Sequence, residues 1–303
     1  MLYLFLAIIC SSSIALIFKH SETAGMNRYA VTSTNYLAAC LVSALLIAIR
    51  GAPPFGQVSV VDGLAVVREA IASGGGVTSI SGGIVWAALV GLGAGAFFFL
   101  AFIYYQISVR NEGVGLSGAF AKLGILVPMS LSLLFWREFP TGVQWLGIAV
   151  AVFSIVLVNW PTRKAAVTLR LSLILLFLFA GLAEFSNKIF QKYALLEYKD
   201  LFLLVNFFVA LVLSLLVTWY QRLPVRRRDL LTGIAVGVPN LFSSYFLILA
   251  LDQIPAAVAF PAFGAGTILI INVAGALVFK ERLSRRDRVV VALVALSLIL
   301  INL

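Results

Sequence analysis

A chain of 303 residues that is 62% hydrophobic and 11% charged, with mean hydropathy +1.08, carries more apolar side chain than a water-soluble core uses. Its net charge of +10 does not point to nucleic acid, because the basic residues gather in short loops between apolar runs, where they orient a chain in a membrane. Two cysteines and a single histidine leave neither a disulfide framework nor a metal-ligand spacing.

The apolar runs are roughly 17 to 25 residues long, the length of helices that cross a bilayer rather than of alternating barrel strands. In chain order the expected spans are 2–18, 29–49, 82–107, 116–136, 143–160, 171–191, 200–220, 230–250, 256–279 and 288–302. The first begins at Leu2 with no basic region or small-residue cleavage site, so it reads as a span and not as a removed leader. Most connections are short. The exception is 50–81, where Pro53, Pro54 and the glycines Gly74, Gly75 and Gly76 bracket VSVVDGLAVVREAIAS, an amphipathic helix expected at the membrane interface. Most of the 22 lysines and arginines fall in the loops after odd-numbered spans, including Arg163, Lys164 and Arg170, which places both termini outside by the positive-inside rule.

The sequence repeats. FWREFPTGVQWLGIAVAVFSIVLVN at 135–159 lies without a gap on VFKERLSRRDRVVVALVALSLILIN at 278–302, so that Glu138 meets Glu281, Arg137 meets Lys280 and Asn159 meets Asn302. Ser13 and Lys19 recur as Ser186 and Lys192, and Asn35 finds Asn206 after a two-residue deletion. The halves 1–162 and 163–303 thus hold five spans each. An odd number per half turns the second half over, giving an all-α membrane protein of ten transmembrane helices as two inverted five-helix repeats.

The paired motifs WREF and FKERLS, the polar end of the first span SSSIALIFKHS and its counterpart EFSNKIFQKYA resemble the drug/metabolite transporter superfamily, in its ten-span EamA-type branch. The resemblance runs over nearly the whole chain and implies alternating access by two helix bundles around a central cavity. It also implies termini in the cytoplasm, against the charge count. Substrates of that superfamily include amino acids, quaternary cations, nucleotide sugars, phosphorylated sugars and drugs.

Two charges lie inside spans. Lys122 sits six residues into 116–136, where a lysine at the centre of a span costs roughly 2.5 to 3.5 kcal/mol; it either pairs inside the bundle or snorkels to the interface. Glu184 lies four residues before Lys188 on one helical face, so it is either neutralised there or free to bind a substrate amine or a coupling proton. Counted from their helix starts, Lys122 and Glu184 differ by ~10 Å in depth, which favours opposite ends of one cavity over a direct bridge. A zwitterion fits that arrangement, carboxylate to Lys122 and amine to Glu184. Ser13, Asn35, Asn187 and Asn206 are candidates for binding, or glue helices together at about 0.6 to 2 kcal/mol each. Phe98, Phe102 and Tyr105 share a helical face that either meets lipid or walls a binding site. Pro128, Pro239 and Pro261 are expected to bend their helices.

No phosphate-cradling loop, zinc signature or nucleophile-base set is present, so neither an ATP-driven pump nor an enzyme is expected, and no cofactor. The expectation is a monomeric secondary transporter of the cell membrane exporting small amphiphilic metabolites such as amino acids. Its partners are a small-molecule substrate and the lipid bilayer, not nucleic acid. Multidrug or quaternary-cation export and a non-transporting scaffold or sensor are the alternatives.

Overall fold

A backbone in hydrocarbon has no water to bond, so each apolar run must close its hydrogen bonds within itself, and a helix does this. The computed structural model describes residues 1–112, 114–159, 171–278, 285–301 and 303, and among them every regular element is helical. Besides two short 3-10 turns at Phe55–Gln57 and Leu196–Tyr198, they are, in chain order, α1 (Leu2–Thr23), α2 (Arg28–Arg50), α3 (Val60–Ser73), α4 (Ile80–Glu112), α5 (Val114–Leu123), α6 (Leu126–Trp136), α7 (Gly142–Asn159), α8 (Leu171–Tyr193), α9 (Lys199–Gln221), α10 (Arg227–Gln253), α11 (Ala256–Val278) and α12 (Arg285–Ile301). Six segments are long and apolar enough to cross a membrane: Arg28–Arg50, Ile80–Asn111, Leu171–Tyr193, Leu196–Gln221, Arg227–Gln253 and Ala256–Ala274. Four shorter apolar stretches accompany them, at Leu2–Phe18, Phe120–Trp136, Gly142–Leu157 and Arg288–Ile301. The chain is a helical membrane protein.

The helices gather into two compact units, and each draws on both halves of the sequence. The first comprises Met1–Ser12, Leu100–Phe185 and Gln253–Leu303. In it α7 packs along α12, α11 lies against α6, α7 and α12, and α5 touches α7. A Cβ on Gly147 would meet the Ile301 backbone nitrogen at 2.9 Å, so the α7–α12 approach depends on a bare backbone.

The second unit comprises Ser13–Phe99 and Ser186–Asp252. Here α2 runs along α9, and two glycine steps bring a third and a fourth helix onto that pair. Gly91 and Gly95 of α4 meet Val205, Asn206 and Val209 of α9, while Gly233 and Gly237 of α10 meet Val31, Thr34, Asn35 and Ala38 of α2. Small residues four apart remove the side-chain spacer and let backbones touch, the usual way helices associate without a hydrophobic drive. Phe190 and Phe202 stack at 4.4 Å in the core of this unit. The start of α2 is fixed by its cap: Asn27 Oδ1 accepts from the Tyr29 and Ala30 amides at 3.1 and 3.3 Å, and the Asn27 amide donates to Asp229 Oδ1 at 3.3 Å. The long connection contains α3 as expected, with Gly63, Val67 and Ala70 buried and Val60, Val61, Leu64 and Ile71 exposed.

Candidate functional site

The stretch 116–136, expected as one span, is two helices, with Pro128 just past the break; Pro239 and Pro261, also expected to bend their helices, lie inside α10 and α11, which run on without a break, so a proline alone does not set it. Pro128 offers no N–H to the carbonyl four residues back, and its ring would collide with it; that carbonyl belongs to Gly124. The chain answers with a tighter turn, in which the Val127 amide donates to the Gly124 oxygen at 2.9 Å and the Ile125 amide to the Lys122 oxygen at 3.4 Å. Opposite the break stands Gly181 of α8. A Cβ there would lie 2.5 Å from the Gly124 oxygen and 2.5 Å from Val127 Cβ, so only glycine lets α8 come this close.

This contact sets the two intramembrane charges. Lys122 is the next-to-last residue of α5, at the break and not in the middle of a helix, and Glu184 lies three residues beyond Gly181. Both are partly buried, and the Glu184 carboxylate acts electrostatically on Lys122. Aromatic pairs stand on either side of Glu184 along α8. Phe185 packs against Trp136 at 5.7 Å, and Phe179 stacks on Tyr104 at 5.4 Å. The first unit therefore holds a cation, a carboxylate and aromatic surface beside a discontinuity in a helix. Such a set can receive a zwitterion, or an organic cation at the carboxylate and rings.

The other candidates divide between the units. Tyr105, partly buried, belongs to the first unit beside Tyr104, the residue whose ring contact the structure gives. Ser13, Asn35, Phe98, Asn187 and Asn206 belong to the second. Asn35 Oδ1 accepts from Asn240 Nδ2 at 3.0 Å, an interhelical bond between α2 and α10. Asn206, its counterpart in the sequence repeat, is wholly buried, and neither its amide oxygen nor its amide nitrogen has a partner among the described residues. Beside it Phe98 meets Phe207 edge-on at 6.0 Å, so α4 offers a ring where α10 offers an amide. Asn187 is wholly buried and Ser13 partly so.

The glutamate of the WREF motif has a defined task. Glu138 Oε2 accepts from the Ala256 amide at 2.7 Å and so caps the first turn of α11, where unpaired N–H groups and the helix dipole favour an anion. Its counterpart Glu281, with Lys280, lies outside the described residues, as do Arg163, Lys164, Arg170 and Asn302.

Sequence reasoning missed a polar cluster in the second unit. Arg50 Nη1 donates to Asp200 Oδ2 at 2.9 Å and Arg50 Nη2 to Tyr245 Oη at 2.8 Å, while Lys199 Nζ sits 5.1 Å from the centre of the Tyr245 ring. Arg50 and Lys199 lie just outside the expected spans 29–49 and 200–220, where a cation by itself carries no special signal. The signal available was their position, at the ends of two spans that the repeat makes equivalent.

No family model matches the chain. A protein of Haemophilus influenzae, described as an uncharacterized protein, is 26% identical over 190 residues, which are 61% of this chain and 65% of that relative. The match thus spans a little under two thirds of the relative's length. A crystal structure among the solved chains superposes on 99% of this chain and 94% of its own with a TM-score of 0.69 at 16% identity, a likeness of fold.

Proposed function

We propose that the chain is a secondary transporter of the cell membrane that exports small amphiphilic metabolites, amino acids and related zwitterions, by alternating access. The observation that carries this reading is the broken helix at Gly124 with Lys122 at the break and Glu184 acting on it. Transporters place discontinuous helices and intramembrane charges where substrate binds, because freed backbone groups and charges are tolerated only where they are buried in protein or line a cavity. In this reading Lys122 takes the substrate carboxylate and Glu184 its amine.

The ten-span, two-repeat architecture belongs to the same proposal. Six long apolar segments and four shorter apolar stretches support it. The pairing of α2 with α9, of α7 with α12 and of α6 with α11 supports it too, because each is a pair of sequence-equivalent spans in contact, as equivalent helices near a two-fold axis are. The paired motifs align the chain with the EamA-type drug/metabolite transporters. A second reading, export of bulky organic cations, is favoured by the Trp136–Phe185 and Tyr104–Phe179 pairs flanking Glu184.

The test is counterflow into proteoliposomes of purified protein, with labelled amino acids and quaternary amines in parallel. Accumulation of a zwitterion that disappears when Lys122→Ala and Glu184→Gln are combined supports the first reading. Accumulation of cations alone, lost with Glu184→Gln and kept with Lys122→Ala, transfers the assignment to the second. Zwitterion flux unchanged in the double variant sinks the Lys122 and Glu184 roles.

A further inference from the structure

In the second unit the end of α2, the loop 51–54 and the start of α9 enclose a cavity of about 370 Å³, within the size range of small-molecule sites. Its polar wall is Arg50, Lys199, Asp200 and Glu197, and its apolar wall includes Ile47 and Leu201. Arg50 ends one candidate membrane span, and Lys199 lies in the first turns of another, so the cavity sits at the polar end of the helices.

Two features set its chemistry. Arg50 does not grip Asp200 with both arms of its fork, the geometry that would satisfy both carboxylate oxygens. One arm goes to Asp200 Oδ2 and the other to Tyr245, and Asp200 Oδ1 is left buried with no donor among the described residues. The guanidinium is thus held turned out from its buried carboxylate, with its side chain 45% exposed against 4% for Asp200. Lys199 lines the same cavity and stands over the same Tyr245 ring, with one long hydrogen bond of 3.4 Å to the Leu196 oxygen. The donor inventory is therefore in surplus: an arginine has five N–H groups and a lysine three, and roughly five of these eight have no acceptor among the described residues. Glu197, the exposed acid in the wall, is hydrogen-bonded to Tyr198.

We propose that this cavity binds a phosphate group, with Arg50 and Lys199 as its cationic anchors and Tyr245 and Asp200 as the groups that position them. A carboxylate matches a planar fork, but this fork is already divided between Asp200 and Tyr245. What remains is two separate cations lining one cavity, which a tetrahedral group with several acceptor oxygens fills better. The phosphate comes either from a phospholipid headgroup, which lies at this level of a bilayer, or from a soluble phosphate ester. The inference is independent of the transport reading.

The test is native mass spectrometry of the full chain released from micelles holding equal amounts of phosphatidylglycerol and uncharged diacylglycerol. The wild-type protein is expected to retain phosphatidylglycerol selectively. Lys199→Gln, which keeps the Arg50–Asp200 pair, should weaken retention about tenfold, the scale of one charge-assisted contact. Glu197→Gln should retain at least as much as the wild type. Equal retention of the two lipids, undiminished retention in Lys199→Gln, or a loss in Glu197→Gln overturns the proposal, the last because it would mark a cation site. Titration with glycerol 3-phosphate separates the sources, each of which keeps the phosphate. Displacement of the lipid assigns the site to a soluble ester, and retention against it assigns the site to the headgroup. Transport assays on Lys199→Gln report separately on the Lys122 and Glu184 site.

Discussion

The register that lays 135–159 on 278–302 also lays α5 and α6 on α11, and the two regions differ where it matters most. Lys122 falls on Ala265, Gly124 on Thr267 and Pro128 on Ile271. α11 continues unbroken through these positions, with Ala265 and Thr267 fully buried and the Thr267 hydroxyl bonded back to the Phe263 oxygen at 2.7 Å. Its counterpart stops at Gly124 and carries a lysine there. Both belong to the first unit, so the contrast is one of sequence within similar surroundings. Matched helices need the same length and packing surface. A break and a charge are needed only where something other than packing is done, so departures from the repeat mark function better than agreements with it.

The contrast can be broken most severely at the contact that sustains it. Gly181→Leu would drive a side chain into the Gly124 carbonyl and Val127, and should cost at least about 3 kcal/mol, beyond ordinary overpacking because backbone cannot yield. Loss of a monodisperse peak in detergent checks it. Gly264→Ala in α11 is the control, since its nearest neighbour is the mobile end of Ile125 and the fold should survive. Next in size is Ala265→Lys, which gives α11 the charge of its counterpart with neither break nor acid; about 2.5 to 3.5 kcal/mol of destabilisation is expected, read as a lowered melting temperature. If Ala265→Lys is harmless, Lys122 needs no special site either.

Lys122→Ala should act on function more than on fold. Ligand-induced thermal stabilisation by a zwitterion should weaken about tenfold in affinity, roughly 1.4 kcal/mol, while the ligand-free protein keeps its peak in detergent. The smallest effect is Thr267→Gly. It makes α11 resemble α5 and α6 at the break itself and should cost ~1 kcal/mol as a glycine in a helix, with the helix intact because Ile271 is not proline. Unchanged helical content by circular dichroism bears this out, and an unwound α11 would shift the cause of the break from Pro128 to Gly124.

Much of the fold was legible because hydrocarbon leaves a chain few options. Expected spans such as 29–49, 171–191 and 200–220 became Arg28–Arg50, Leu171–Tyr193 and Lys199–Gln221, each displaced by no more than a turn. The break in 116–136 was only half legible. Pro128 announced a bend, but that the helix would end beside Lys122 depends on Gly181 approaching from a distant segment, and periodicity carries no such information. Likewise Asn35 and Asn206 looked equivalent, yet one meets Asn240 and the other stands beside Phe98 and Phe207, a difference set by the partner helix. The Arg50 cluster was invisible for the same reason, since Asp200 and Tyr245 reach Arg50 only through the fold.

The clasp between Glu138 and Ala256 has a consequence for the order of synthesis. The acceptor leaves the ribosome 118 residues before the amide it will hold. When the head of α11 emerges, the group that completes its first turn is already waiting on folded chain, so the earlier half supplies a docking point on which the later half is started. A chain begun after residue 138 would have to start α11 without the carboxylate that accepts from its Ala256 amide.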